Sequence, residues 1–464
     1  MYEITFQLEK TKDRPLYVQL YHYLKREIQN GQIKAGMKLP SKRKLAVHLG
    51  IGLNTVDSAY QQLIAEGYVE SRVRKGYFAA EIDRISSIME QVTTTSNPET
   101  ILPIVTNMID FHYGHVDIDS FPHTVWKKCM NNTLYLQERD MFISGDPQGE
   151  HGLRNEIADY LFQSRGVRCV PNQIIIGAGT QYFIHLLRLL LGKERVFGLE
   201  DPGFHRVREV LKVEGAEMRF IPCDESGLCV ESLKESQADI AYVTPSHQFP
   251  LGMIMPISRR VELLKWAGRK NGYIIEDDYD GEFRHTGKPI PSLQGLDTGG
   301  RVIYLGTFSK SLIPTIRAGY MVLPPELADL YQRKLQGYKQ TISKMIQETV
   351  CLFIKDGHWE RHLNRMRILY RKKNQVLLAE LEETFHDQIT VIGEKSGLHI
   401  LVQVHSDKSE AELIQTAERK GVKVYPTSVY HSKKDNHPTI LMGYGGLSES
   451  DIKEGIRLLK KAWL

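Results

Sequence analysis

The run Val302-Ile303-Tyr304-Leu305-Gly306-Thr307-Phe308-Ser309-Lys310-Ser311-Leu312-Ile313-Pro314-Thr315-Ile316-Arg317-Ala318-Gly319-Tyr320 joins an apolar segment to a loop where a lysine stands among small hydroxyl residues. An arginine follows seven positions after the lysine. Short apolar runs rich in β-branched residues and closed by glycine read as buried strands. The same kind of run recurs at Ile174-Ile175-Ile176, Val196-Phe197-Gly198-Leu199, Ile240-Ala241-Tyr242-Val243, Tyr273-Ile274-Ile275 and Tyr320-Met321-Val322-Leu323. Longer helical patterns separate them. Alternating strand and helix predicts an α/β fold with a mixed, mostly parallel sheet and helices on both faces. Residues 342–381 read as helical and charged, and 398–404 and 439–444 as strands before a final helix, so a smaller C-terminal α+β lobe is expected over about 342–464.

The chain has 464 residues, enough for two or more folding units. It is 41% hydrophobic and 25% charged, which excludes wholesale disorder. The first residues lack a basic stretch followed by an apolar run, and no segment approaches the roughly 18 apolar residues of a membrane helix. A cytoplasmic protein with no membrane partner is therefore expected. Five scattered cysteines without a Cys-x-x-Cys pair indicate neither a disulfide framework nor a zinc site, and are expected to be buried thiols. Charge is segregated: residues 1–80 hold 13 Lys and Arg against 7 Asp and Glu, and the remainder 47 against 49. A basic head on a neutral body suits a nucleic-acid module joined to a ligand-handling domain.

The head, 1–80, reads as three helices and a hairpin. Leu16, Leu20, Tyr23, Leu24 and Ile28 fall at helical spacing and stop at Asn30-Gly31. Ser41 is placed to cap a helix that runs to Gly50. Asn54-Thr55 gives a third helix a capping-type start, and Gly67 suits its left-handed end. Tyr68-Val69-Glu70-Ser71 and Tyr77-Phe78-Ala79 then alternate as strands about the basic turn Arg72-Val73-Arg74-Lys75-Gly76. Together these form a winged helix-turn-helix. Residues 81–109 read as a linker, with one short helical pattern at 85–92 and a polar, turn-rich stretch at 93–99.

In α/β sheets ligands bind beyond the carboxyl ends of strands. Gly177-Ala178-Gly179-Thr180-Gln181 opens a helix whose free N–H groups favour a phosphate. Glu276-Asp277-Asp278-Tyr279-Asp280 is an acidic strand end open to three readings: a divalent metal site, a solvated loop, or a partner for a cationic ligand ring. With Lys310, the hydroxyl residues and Arg317, these pieces fit a pyridoxal phosphate site. That chemistry needs a lysine for an imine, a carboxylate for the ring nitrogen, a hydroxyl near the ring oxygen and a phosphate cup.

From Asp110 on the sequence resembles the fold-type I aminotransferases, and with its winged head the whole chain resembles the MocR/GabR branch of GntR-type bacterial regulators. The resemblance rests on Leu39-Pro40-Ser41-Lys42-Arg43, Asn54-Thr55-Val56, Ala59-Tyr60-Gln61-Gln62-Leu63, Glu66-Gly67-Tyr68, Gly145-Asp146-Pro147-Gln148-Gly149 with Leu153-Arg154, Glu200-Asp201-Pro202-Gly203, Pro245-Ser246-His247-Gln248, Glu276-Asp277-Asp278-Tyr279 and Thr307-Phe308-Ser309-Lys310 with Arg317. It implies pyridoxal 5'-phosphate as cofactor, with Lys310 forming the internal aldimine. Asp277 would face the ring nitrogen, Tyr279 the phenolic oxygen and Phe204 the ring face. Gly179, Thr180, Gln181, Thr307, Ser309 and Arg317 would surround the phosphate. In the head, Ser41 and Arg43 would meet DNA phosphates, Asn54 and Thr55 would begin the recognition helix, and Arg72, Arg74, Lys75 and Gly76 would form the wing tip. A homodimer with two heads reading paired half-sites is implied as well.

Three departures bear on function. Phe249 stands where the aminotransferases carry an asparagine that bonds the ring oxygen. Val429 and Leu441 occupy the positions of their carboxylate-gripping arginine, leaving Arg206 as the best anion-binding candidate for an effector. Gly52-Leu53 replaces a common Ser-Arg at the recognition helix. The expected function is a DNA-binding transcriptional regulator that senses pyridoxal phosphate, or an amine or amino acid reacting with it, with little or no turnover. The alternatives are a working aminotransferase with an accessory DNA-binding head and, with less in its favour, a metal-dependent regulator using Glu276, Asp277, Asp278 and Asp280. No resident metal is expected.

Overall fold

The computed structural model of the protein describes residues 15–81, 108–136, 140–285, 287, 290–433 and 438–464. The expected helix at 85–92 and the polar stretch at 93–99 lie outside these. The chain divides into two compact units, 1–104 and 105–464.

In the head, helices Leu16–Gln29, Lys42–Leu49 and Leu53–Ala65 precede an antiparallel hairpin, Val69–Arg72 with Gly76–Ala79. Leu20, Leu24 and Ile28 lie four residues apart on one helical stripe and meet Val56, Ala59, Tyr60 and Leu63 in a single core. Ser41 caps the second helix by accepting the Lys44 N–H. The third helix differs from expectation. It begins one residue earlier, and Gly52 is its N-cap with no side-chain bond, so Asn54 lies inside the first turn. Glycine fills that role by backbone geometry alone.

The body is built on an eight-stranded sheet in the order Ile174–Gly177, Gly319–Val322, Val302–Thr307, Tyr273–Asp278, Ile240–Val243, Phe197–Asp201, Met218–Asp224, Gly227–Leu228. The five strands from Val302–Thr307 to Met218–Asp224 pair in parallel, whereas Gly319–Val322 is antiparallel to both neighbours. Alternate residues feed opposite cores: Ile174 and Ile176 join Tyr304 and Tyr320 on one face, and Ile175 joins Ile303, Leu305 and Met321 on the other. Burial of both faces is why these strands read as continuous apolar runs.

The smaller lobe carries a four-stranded sheet, Ile389–Ile392, His399–Val404, Thr439–Gly443 and Tyr425–Pro426, under the closing helix Glu449–Trp463. Its edges differ from expectation in two ways. Helix Lys344–Lys355 packs Val350, Cys351 and Phe353 into the large-sheet core, and the long helix His358–Phe385 is shared. Trp359, Leu363, Met366 and Tyr370 serve the large core, while Leu377, Leu381 and Phe385 serve the small one. The lobe's core therefore starts midway along a helix, where sequence periodicity gives no signal. Ile109, the last residue read as linker, and Asp110 form a strand paired with Val422–Lys423. No helix among the described residues is long and apolar enough to cross a membrane. Of the cysteines, Cys129 and Cys351 are buried, whereas Cys169, Cys223 and Cys229 are half-buried.

Candidate functional site

Parallel strands leave their carboxyl ends on one edge of the sheet, and a cavity of about 340 Å³ opens there. It is lined by Gly179, Thr180, Gln181, Phe204, Arg206, Asp277, Tyr279, Thr307, Ser309, Lys310 and Arg317, so the body residues singled out from sequence converge on one space. They arrive from several strand ends. Asp277 closes Tyr273–Asp278, Thr307 closes Val302–Thr307, and Gly179 is the N-cap of helix Thr180–Leu191.

Lys310 projects into this cavity and its Nζ donates to the Tyr113 carbonyl. Burial lowers its ammonium to about 8, with Asp280 opposing the shift and Arg206 adding to it. An amine poised near neutrality is the form a carbonyl-bearing ligand needs. Asp277 is buried, and burial pushes its carboxyl up to about 6 against hydrogen bonds from Tyr242 (2.5 Å) and Thr180 (3.2 Å). The Thr180 hydroxyl is thus turned to Asp277, leaving its backbone N–H for the cup. Gly179 adopts φ +97°, and nothing lies within 4 Å of where its Cβ would be, so the turn offers bare backbone to the cavity. Arg317 is held at φ +50°, a backbone conformation rare for a side chain of its size. Two hydroxyls, a guanidinium and a helix N-terminus lining the cavity suit a dianionic phosphate, and a buried carboxylate lining it suits a cationic ring. The residues present fit pyridoxal phosphate.

The wall around Phe249 is apolar and aromatic. Phe249 meets Phe204, Tyr279 and Tyr430 edge to face at 5.4, 5.9 and 4.9 Å between ring centres. Leu441 is buried with Phe249, Leu401 and Tyr430, whereas Val429 is exposed and its carbonyl accepts from Arg208. Neither position supplies a cation. Arg206 is exposed at the cavity mouth.

The acidic strand end does not form a cluster of metal ligands. Glu276 accepts the Leu293 and Gln294 N–H groups at 2.7 and 2.8 Å. Asp278 is buried against Arg165 (2.7 Å) and Tyr304 (2.6 Å), and Asp280 pairs with His247 (2.9 Å). The pleat sends neighbouring carboxylates to opposite sides of the sheet, where each finds its own partner.

Several lining groups escaped the sequence reading. Tyr242, next to last in strand Ile240–Val243, is one that the strand-end rule would have found. His112, Tyr113 and His115 come from the segment after Ile109–Asp110, about 200 residues from Lys310, and no local pattern marks them.

In the head, Ser41, Arg43, Asn54, Arg72, Arg74 and Lys75 are exposed, and Thr55 and Gly76 are half-buried. Lys42 is committed elsewhere: it pairs with Asp57 and lies 5.1 Å over the Tyr77 ring. Arg72 folds back on Glu70 (3.0 Å) and over the Phe78 ring (4.7 Å), which draws it from the wing tip formed by Val73, Arg74 and Lys75. Arg74 sits at φ +57° in that turn.

Residues 106–457 match the family model "Aminotransferase class I and II", and residues 16–78 match "Bacterial regulatory proteins, gntR family". The chain is 46% identical over 461 residues to the uncharacterized HTH-type transcriptional regulator YdeL of Bacillus subtilis, covering 99% of each. It is 32% identical to the probable rhizopine catabolism regulatory protein MocR of Rhizobium meliloti, over 98% of this chain and 95% of that one. Among solved structures, LysN, the alpha-aminoadipate aminotransferase of Thermus thermophilus complexed with N-(5'-phosphopyridoxyl)-L-leucine, superposes with a TM-score of 0.70 at 25% identity. The match covers 77% of this chain and 92% of LysN.

Proposed function

The chain belongs to the gntR family of bacterial regulators through its head and to the class I and II aminotransferases through its body, and from that premise we propose how this pyridoxal phosphate-dependent transcriptional regulator is controlled. The body senses pyridoxal phosphate itself or an amine or amino acid that reacts with it, and the head, residues 1–80, carries the response to operator DNA.

Bound pyridoxal phosphate supplies an aldehyde that captures primary amines and a ring that withdraws electrons from them. The chain's residues do the rest. Gly179, Thr180 and Gln181 offer N–H groups at a helix start, and Thr307, Ser309 and Arg317 complete the phosphate cup. Asp277 would hold negative charge against the ring nitrogen, Tyr279 would donate toward the ring oxygen, and Phe204 would pack on the ring face. Lys310 would hold the cofactor through its amine, the group with which an effector amine would compete. Arg206 takes the acid group of an effector that bears one.

The observation that carries this reading is the contrast within one cavity: the capture lysine shares it with Phe249, which packs on the buried Leu441. Retained capture with no ring-oxygen amide and no fork-like clamp supports sensing over rapid turnover. In the head, Ser41, Arg43, Asn54, Thr55, Arg74 and Lys75 face DNA, with Arg72 and Gly76 shaping the wing. Two copies pair to read paired half-sites. The segment Asp146-Pro147-Gln148-Gly149 supports that pairing as a preformed platform, because Arg154, itself buried, ties it through Asp146 (2.7 Å) and the Gly149 carbonyl (2.8 Å).

The test mixes holoprotein with a panel of amines, amino acids and 2-oxo acids, following visible absorbance, product and operator affinity together. The reading predicts a spectral change and a change in DNA affinity from the same compound, without sustained product. Unchanged operator affinity across the panel and between apo and holo protein would reject it.

A further inference from the structure

Beside the cavity, outside the groups given roles above, His247 and Asp280 form a buried pair, about 1% and 2% exposed at the side chain. His247 Nδ1 lies 2.9 and 3.1 Å from the two Asp280 carboxylate oxygens, and 2.9 Å from the Tyr279 hydroxyl. The backbone is shaped around the pair: Gly397 sits at φ +77°, and a Cβ there would collide with the His247 ring and the Asp280 carboxylate.

This geometry leaves one arrangement of protons. A carboxylate only accepts, so Nδ1 carries a proton and donates it to Asp280. The Tyr279 hydroxyl cannot donate to a nitrogen that already bears a proton, and its oxygen accepts from the same N–H. Its own proton is left pointing into the cavity. We propose that His247 and Asp280 are a positioning dyad that fixes the Tyr279 hydroxyl as the remaining donor to the cofactor's ring oxygen, where Phe249 supplies no amide. The proposal rests on the reading of Tyr279 given under the proposed function.

A donor to the ring oxygen stabilises its negative charge most when the nitrogen joining the cofactor to Lys310 has lost its proton. The dyad therefore lowers the pH at which the visible band of the bound cofactor converts, and loss of the dyad raises it. The charged and titratable groups around it are Asp277, Asp278, Asp280 and Glu200 on the Tyr279 side, and His285 and His399 on the His247 side, with Lys310 beyond His399. All remain in place in every variant except Asp280.

The experiment titrates the visible band of holoprotein with pH in wild type, Tyr279→Phe, His247→Phe, His247→Asn and Asp280→Asn, with cofactor stoichiometry and melting temperature as checks on folding. Tyr279→Phe sets the full effect, an upward move of the midpoint by about one pH unit, the worth of one hydrogen bond. His247→Phe moves it the same way by most of that amount and adds nothing to Tyr279→Phe when combined with it, whereas Asp280→Asn moves it less, because it also removes a charge that holds the proton on Lys310. His247→Asn, whose amide nitrogen occupies the place of Nδ1, keeps the wild-type midpoint. Wild-type titration in both His247→Phe and Asp280→Asn, while Tyr279→Phe shifts, overturns the dyad and leaves the cofactor reading standing. An unshifted Tyr279→Phe overturns the placement of Tyr279 and the proposal with it. His247, Asp280 and His399 also hold ligand atoms within 4.8 Å of one another, so stoichiometric zinc in the purified holoprotein would overturn the hydrogen-bonded dyad. If His247→Phe fails to accumulate, Asp280→Asn is compared in the wild-type and Tyr279→Phe backgrounds: the lost charge acts equally in both, and an upward move confined to the wild-type background is the dyad's, whereas equal moves in the two overturn it.

Discussion

Replacing Tyr242 by phenylalanine removes one hydroxyl, and its effect follows from the carboxylate that hydroxyl serves. Tyr242 donates to Asp277 at 2.5 Å, Thr180 is the second donor, and burial has already raised Asp277 to about 6. A hydrogen bond to a charged group contributes about 1.5–3 kcal/mol, so its loss lifts Asp277 by about one to two pH units, to about 7–8. Asp277 must be ionised to face a protonated ring nitrogen. At about pH 6.5 the wild-type carboxyl is mostly ionised before cofactor arrives, whereas the variant's is mostly protonated and must release that proton on binding. Linkage then weakens cofactor affinity about tenfold at pH 6.5, and the two proteins converge by about pH 9, where both carboxyls are ionised. The sign follows from Asp277 having the higher value in the variant: the penalty is full below the wild-type value, shrinks between the two and vanishes above the variant's. Lys310 titrates in both proteins, so the ratio of their affinities isolates Asp277. The assay is a titration of apoprotein with pyridoxal phosphate, read by absorbance at a series of pH values. A loss that persists undiminished at pH 9, or no loss at pH 6.5, would refute the argument that Tyr242 acts by keeping Asp277 ionised.

Lys310→Ala is expected to abolish the borohydride-reducible visible adduct while far-ultraviolet circular dichroism stays unchanged, because the lysine lines a cavity. Arg165→Leu leaves Asp278 buried with Tyr304 as its remaining neutral partner, so unfolding in urea should show a loss of about 3–5 kcal/mol; the double change with Asp278→Leu should recover much of it. Arg43→Ala and Lys75→Ala should each lower the salt slope of operator binding by about one, whereas Thr55→Ala should alter base preference more than slope; equal slopes in all four proteins would contradict the placement. Transamination should stay slow, since one lost donor in a preorganised site costs about 3 kcal/mol, about a hundredfold in rate. Several turnovers per second with any natural pair of donor and acceptor would restore the aminotransferase alternative.

The strands of the body were legible, though not their order, because both faces of the sheet are buried, and a strand such as Ile174-Ile175-Ile176 has no polar face to blur its signal. The convergence of Gly179, Asp277, Lys310 and Arg317 was legible for a related reason. A parallel sheet brings all its strand ends to one edge, so residues that follow strands are neighbours whatever separates them in sequence. The capping serine and hairpin of the head are equally local, and local patterns suffice for them. What only the tertiary structure decided is which partner each polar group takes. Glu276, Asp277, Asp278 and Asp280 look alike in sequence, yet they bond respectively to backbone N–H groups, to Tyr242, to Arg165 and to His247. Lys42 and Arg43 are adjacent bases, and Asp57, 15 residues on from Lys42, claims the first and leaves the second exposed. The small-lobe boundary hides inside one continuous helix for the same reason. Helical period states that a residue is buried; the core it enters, and the hydrogen bond a buried group accepts, depend on residues from 15 to 113 positions away.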